Sequence, residues 1–400
     1  MDQGWSWVVL IACVLIYGIS ASMSWSMGVY LVPLLKDFES SQQQTALACS
    51  VTFAMYCFSG AFGGFLYKLF GCRPLVMVCS LVAATGYVLC FFVTSIQQLT
   101  LCQVVVGIGF GLTGPAVLAV QAEYFSNYRN MAVSLVAAGC PIGLFIFPPL
   151  YTCFIDLVGW RGSMLLNGGI ALQMLVFGAL IRPTTVTHQR GNLCTVEMFT
   201  KIGCWLAWVV GFGMRGLISI YFTFINAFLL DNAIEKQLAA FLVSLSGVTN
   251  LCGRLVGSVL AHKAGKRLKP VLMLISLVTL ALQPVLTSMC RVEGWFAVTL
   301  ALIGLADGLD VSLLYVIMME QFGQQLFPNV QGMYGLWSGV AILTVPQLAG
   351  LLADELNLTW TMYFASCTGT ISVSAGALMA VMSYSHPNRN HKENHDEISL

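Results

Sequence analysis

The sequence predicts an all-α membrane protein whose twelve transmembrane helices divide into two pseudo-symmetric six-helix bundles. Three observations carry that expectation. Hydrophobic residues make up 58% of the 400-residue chain and charged residues only 9%, with a mean hydropathy of +0.83, whereas about a quarter of a soluble domain is charged. Apolar windows of roughly twenty residues, the length that crosses a bilayer core, recur twelve times. The longest polar stretch before the tail, Arg182–Lys201 (RPTTVTHQRGNLCTVEMFTK), falls between the sixth window and the seventh.

The windows lie near 8–33, 46–66, 75–95, 99–121, 132–155, 163–181, 204–230, 238–261, 270–289, 295–318, 331–352 and 361–383. They give an N-terminal bundle over 1–181, a cytoplasmic linker over 182–201, a C-terminal bundle over 202–383 and a polar tail over 384–400. The halves echo each other. Gly71-Cys-Arg-Pro74 follows span 2 as Gly265–Pro270 (GKRLKP) follows span 8, and Gly107, Gly109 and Gly111 of span 4 are answered by Gly304 and Gly308 of span 10. A duplicated six-span unit leaves such matches at one offset, and it places a solute site between the halves near the midplane. In span 5, Ala137–Gly143 (AAGCPIG) and Pro148-Pro149 bring backbones close to a neighbour and remove ladder hydrogen bonds, and packing alone is the favoured reading of them.

An even number of spans puts both termini on one side. Twelve of the eighteen Lys and Arg residues fall in loops on that side, four fall opposite, and Arg215 and Arg254 lie inside spans. Basic loops mark the cytoplasm, so both termini are expected there. The first apolar run has no basic n-region before it and reads as a retained span. A net charge of +1 with no basic stripe gives nucleic acid nothing to bind. GxSxG, HExxH and GxxxxGK[ST] are all absent, so neither hydrolysis nor ATP-driven pumping has its residues, and the expectation is a non-enzymatic secondary carrier. The fourteen cysteines are scattered through apolar runs as small core residues. The tail histidines are too irregularly spaced for a metal site, and no cofactor is expected. Asn357-Leu-Thr359 is a glycosylation sequon crowded between spans 11 and 12.

Four charges inside spans are the candidate functional residues: Arg215 in span 7, Arg254 in span 8, and Asp307 and Asp310 in span 10. A guanidinium in hydrocarbon costs about 2.5 to 3.5 kcal/mol on insertion scales, so Arg254 is expected to face a cavity and an anion. Asn250 lies one turn earlier on the same face. The leading reading gives Arg254 the carboxylate of a small organic solute; the plainer reading is an ion pair locking two helices. Asp307 and Asp310 share a face, and one of them is expected to pair with Arg254. Asp310 and Arg215 read as structural charge partners.

The residues resemble the monocarboxylate transporter family of the major facilitator superfamily. Asp2–Trp7 (DQGWSW) is similar to that family's tryptophan signature at the start of span 1. Glu123–Gly143 (EYFSNYRNMAVSLVAAGCPIG) is similar to its second signature. Gly159–Gly162 (GWRG), Gly178–Pro183 (GALIRP) and Pro346–Gly350 (PQLAG) match in order along nearly the whole chain. The resemblance implies a twelve-span carrier in the plasma membrane, working by alternating access, with carboxylate recognition on Arg254. Some members reach the surface with a single-span immunoglobulin-like ancillary glycoprotein.

The departures from the pattern are specific. Proton-coupled members have an aspartate where this chain has Asn250 and a span 1 lysine where it has Trp25; neither replacement titrates. Lactate-type members have a phenylalanine where this chain has Asp307, and Arg129 stands alone where the second signature tends to be more basic, which weakens the expected cytoplasmic gating contact. The linker is short for the family. With Arg254 for a carboxylate, Asp307 for a cationic group and Trp25 for a ring or cation, the expected solute is a small monocarboxylate or a zwitterion, moved by facilitated diffusion or exchange. The alternatives are proton-linked symport through Asp307 or Asp310, and a transport-dead sensor or partner protein.

Overall fold

The computed structural model describes residues 4–125, 128–182, 197–265, 267–289 and 292–385. The middle of the linker, the tail and Asp2 of the first signature lie outside them. Every described element is helical. In the first half these are α1 (Gly4–Trp25), a 3-10 turn (Ser26–Tyr30), α2 (Leu31–Phe38), α3 (Gln42–Phe70), α4 (Cys72–Phe91), α5 (Ile96–Ala119), α6 (Gln121–Tyr124) and α7 (Arg129–Leu180). The second half holds α8 (Glu197–Thr200), α9 (Ile202–Asp231), α10 (Lys236–Lys263), α11 (Leu268–Met289), α12 (Glu293–Glu355) and α13 (Leu358–Ser385).

Eleven described segments are long and apolar enough to cross a membrane. One of them, Met131–Leu180, has 50 residues, about 75 Å of helix against a core of about 30 Å, so it crosses twice. The turn between its crossings is Gly159, at φ 72° and ψ 172° inside α7. A left-handed φ is open to glycine at no steric cost. Twelve crossings result, at the expected places. The prolines of span 5 leave the helix continuous, in keeping with the packing reading: α7 runs through Pro141, Pro148 and Pro149. Packing around them holds the helix. The Ser22 hydroxyl donates to the Cys140 carbonyl at 2.7 Å, and Thr152 donates to the Pro148 carbonyl at 3.1 Å, the kind of support that lets spanning helices carry proline.

The signature motifs are packing points. Trp7 stacks edge-on against Phe125 at 5.4 Å and tilts against Tyr128 at 6.3 Å, while Trp5 donates to the Leu180 carbonyl and lies under the Arg182 guanidinium at 4.1 Å. Three motifs far apart in sequence therefore meet where spans 1, 4 and 6 end. At the opposite end Arg161, just past the Gly159 turn, pairs with Asp37 at 2.8 Å and covers Trp160 at 4.2 Å. Asn357 is a helix cap: its Oδ1 accepts from the Thr359 and Trp360 amides at 3.0 and 3.3 Å.

The halves meet chiefly through α3 against α12 and α7 against α10. Several of these contacts sit at the end remote from the termini. Asp354 accepts the Gln42 and Gln43 amides at 2.8 and 3.0 Å, an anion on a helix N-terminus, and Lys236 pairs with Asp156. Within the second half, α10 and α12 approach through glycines. A Cβ on Gly308 would meet Arg254 N at 2.8 Å and Gly253 Cα at 3.0 Å. Small residues at a helix seam let backbones touch. Gly308→Leu is therefore expected to force α10 from α12 at a cost of about 1 to 3 kcal/mol, lowering the unfolding midpoint in detergent and removing uptake.

Candidate solute site

The glycine seam sets α10 and α12 close enough for polar side chains to meet between them. Asn250 Nδ2 donates to Asp307 Oδ2 at 2.6 Å, and Asn250 Oδ1 accepts from Arg254 Nε at 2.9 Å. An amide can do both because it carries a donor and an acceptor. It thus joins a cation to an anion without a charge of its own. Asp307 Oδ1 faces Arg215 Nη1 of α9 at 3.9 Å, both side chains nearly sealed. The Arg215 guanidinium also lies over the Trp25 ring at 5.6 Å. Trp25 in turn packs on Phe53 of α3 at 4.5 Å and on Phe222 of α9 at 5.6 Å. The chain of contacts runs Arg254, Asn250, Asp307, Arg215, Trp25, and crosses from the second half to the first.

Several expectations need correcting in detail. Neither aspartate pairs directly with Arg254. Asp307 takes Arg215 as its cation and reaches Arg254 through Asn250. It is 3% exposed; Oδ2 accepts from Asn250, while Oδ1 has Arg215 at 3.9 Å and no hydrogen-bond partner among the described residues. The cation over Trp25 is the protein's own Arg215. Asp310 is fully buried and meets only the Ser276 hydroxyl of α11, at 3.3 Å. Arg129 opens α7, with its side chain outside those described.

Arg254 differs from the rest. It is half-buried, its hydrogen bond to Asn250 uses Nε, and among the described residues no carboxylate stands within ion-pair distance. It is close enough to Tyr17 of α1 and Cys140 of α7 to act on them electrostatically. Arg254 therefore faces the other half of the molecule rather than lipid. Phe241, Val248, Leu255, Val256 and Val259 on the same helix are the exposed large apolar residues. The sequence reading missed Tyr17 and Tyr56, the latter beside Tyr17. Hydroxyls in mid-span were the available signal. Above Trp25, toward the end remote from the termini, Ser24, Ser50, Ser219 and Thr223 line a cavity of about 20 Å³ with Phe53 and Phe222, room for about one water.

The sequence matches the Major Facilitator Superfamily family model over residues 10–346. It is 30% identical over 399 residues to "Monocarboxylate transporter 3" of Rattus norvegicus, covering 96% of this chain and 81% of that one. The corresponding Mus musculus protein is 31% identical, with 96% and 80% covered. This chain belongs to the monocarboxylate transporter family of the major facilitator superfamily. "Monocarboxylate transporter 6" of Homo sapiens is 26% identical over 91% of the chain and 78% of its own length. Among solved structures, a bacterial homologue of the human lysosomal transporter Spinster, inward-facing and unoccupied, superposes with a TM-score of 0.75 over 96% of this chain and 98% of that one, at 15% identity. That likeness shows the fold alone. The family member described here is a multi-pass secondary transporter of small organic solutes and not an enzyme.

Arg215→Gln leaves Asp307 buried without its cation, which typically costs about 3 to 5 kcal/mol. The unfolding midpoint is expected to fall, and Asp307→Asn in the same chain is expected to recover most of it. Thermal unfolding of the two single variants and the double variant checks the pair.

Proposed function

We propose that this carrier moves a small organic monocarboxylate across the plasma membrane by alternating access, with Arg254 binding the solute carboxylate. The observation that carries the reading is a half-buried guanidinium between the halves that lacks a carboxylate partner among the described residues. A guanidinium presents a planar fork suited to a carboxylate. Asn250 holds it at Nε, leaving the terminal nitrogens for the solute. Tyr17 of the first half lies within electrostatic reach of Arg254, so a solute seated there would meet both halves. The bundles that rock around it are residues 1–181 and 202–383, and the excess of basic residues in the loops on their side puts the termini in the cytoplasm.

The zwitterionic reading gives the solute's ammonium group to Asp307. That carboxylate is already held by Arg215 and Asn250, which favours the simple monocarboxylate. A transport-dead protein would bind without flux. Uptake of labelled pyruvate, lactate, butyrate and phenylalanine into expressing cells separates the three. Monocarboxylate uptake is expected, falling at least about thirtyfold in Arg254→Ala, as the loss of a buried charge contact of 2 kcal/mol or more implies. Phenylalanine uptake lost in Asp307→Phe would support the zwitterion instead, and binding with no flux of any solute would refute transport.

A further inference from the structure

Two free cysteines stand outside the solute site, at the end of the first half remote from the termini. Cys90 is the last residue but one of α4, and Cys102 lies six residues into α5 from its first residue, Ile96. Glycines set these two helices in one close register. A Cβ on Gly109 would meet the Ala83 amide nitrogen at 2.8 Å, and a Cβ on Gly86 would meet the Val106 nitrogen at 3.0 Å and the Cys102 carbonyl oxygen at 3.1 Å. Backbone touches backbone at such a seam. One turn along α4 from Gly86 is Cys90, and one turn back along α5 from Val106 is Cys102. The register therefore sets the two side chains opposite each other, and the thiols are near enough to interact.

A disulfide needs Cα atoms about 4.4 to 6.8 Å apart, with the two Cβ atoms turned toward each other. Helices come that close where small residues line the seam, as Gly86 and Gly109 do here. The two sulfurs differ in access: Cys90 is fully buried, whereas Cys102 is half-buried. Beside Cys90 stand Tyr30 and Tyr87. The Tyr30 hydroxyl contacts Ser163 Oγ at 2.5 Å and accepts from Asn167 Nδ2 at 2.9 Å, tying the 3-10 turn after span 1 to the second crossing of α7. A bond between Cys90 and Cys102 adds spans 3 and 4 to a point where spans 1 and 6 are already joined.

We propose that Cys90 and Cys102 are an oxidisable pair that closes to a disulfide under a peroxide, clipping span 3 to span 4. Cys102, the accessible thiol, attacks one peroxide oxygen; the O–O bond breaks, water leaves and Cys102 becomes a sulfenic acid. The Cys90 sulfur then attacks the sulfenic sulfur, and its proton departs with the hydroxyl as a second water. Two thiols supply two electrons, and the peroxide takes both. Hydrogen peroxide is small and uncharged, so about 9 Å of helix between Ile96 and Cys102 does not keep it out. On the orientation proposed above this end faces outward, away from the cytosolic thiols that would reduce the bond. The pair owes nothing to Arg254 and is tested without a solute.

The purified full-length chain in detergent is treated with hydrogen peroxide, alkylated in denaturant and digested with chymotrypsin, which cuts after Phe91 and Phe92 between the two cysteines. Wild type is expected to give peptides joined through Cys90 and Cys102, two hydrogens lighter than their sum and separated again by dithiothreitol. In Cys90→Ser the sulfenic acid has no second thiol to meet, so dimedone should label Cys102 in that variant and leave it unlabelled in wild type. Recovery of both cysteines alkylated after peroxide overturns the proposal, and so does either one joined to a different cysteine. These wild-type readouts stand whether or not the variant folds. Equal dimedone labelling of Cys102 in wild type and in Cys90→Ser overturns the resolving role of Cys90, and the clip with it.

Discussion

Everything in the site depends on the low polarisability of its surroundings. Two guanidinium groups and two carboxyl groups lie in the middle of a protein that has almost no other charge at that depth, and each must be answered by another. Asp307 answers Arg215 directly and Arg254 through an amide. The remaining imbalance determines what the site can accept. A solute anion at Arg254, as proposed, would remove that excess charge.

The backbone makes this arrangement possible. Glycines at 253, 257, 304 and 308 leave room for α10 and α12 to touch, and contact at that distance lets side chains as short as Asn250 and Asp307 meet. A similar economy operates between the halves, where a 3-10 turn at Ser26–Tyr30 carries Gly28 against the Phe222 carbonyl. Trp25, immediately before that turn, closes with Phe53 and Phe222 the path from Arg254 toward the end remote from the termini. The aromatic cluster and the contacts of Asp354 and Lys236 join the halves at that end. Their polar members are ion pairs and helix-end contacts, which exchange readily with water.

Much of the architecture was legible in the sequence because membrane spanning imposes a length and a composition on every helix. The twelve windows follow from that, and so does the placing of Arg254 inside a span; the turn at Gly159 between the fifth and sixth windows was seen only in the structure. The prolines of α7 sit in a continuous helix, as the favoured packing reading had it, with contacts nearby from Ser22 of α1 and from Thr152 of α7 itself. Partner choice among the four buried charges was not legible either. Spacing along one helix says which side chains share a face, as for Asn250 and Arg254, but which helix faces which is decided by packing. Hence Arg215, read as a structural charge partner, stands 3.9 Å from Asp307, a pairing that spacing alone did not single out. Asp310, its neighbour by three residues, was left with a serine.

The central claim is that the charge on Arg254 is open to a solute carboxylate. Equilibrium binding of pyruvate and of its uncharged amide, pyruvamide, to purified wild-type protein and to Arg254→Ala tests it most directly. The acid should bind wild type at least about thirtyfold more tightly than the amide, as a charge contact of 2 kcal/mol or more requires, and the preference should vanish in the variant. Equal binding of acid and amide to the wild type would contradict the account.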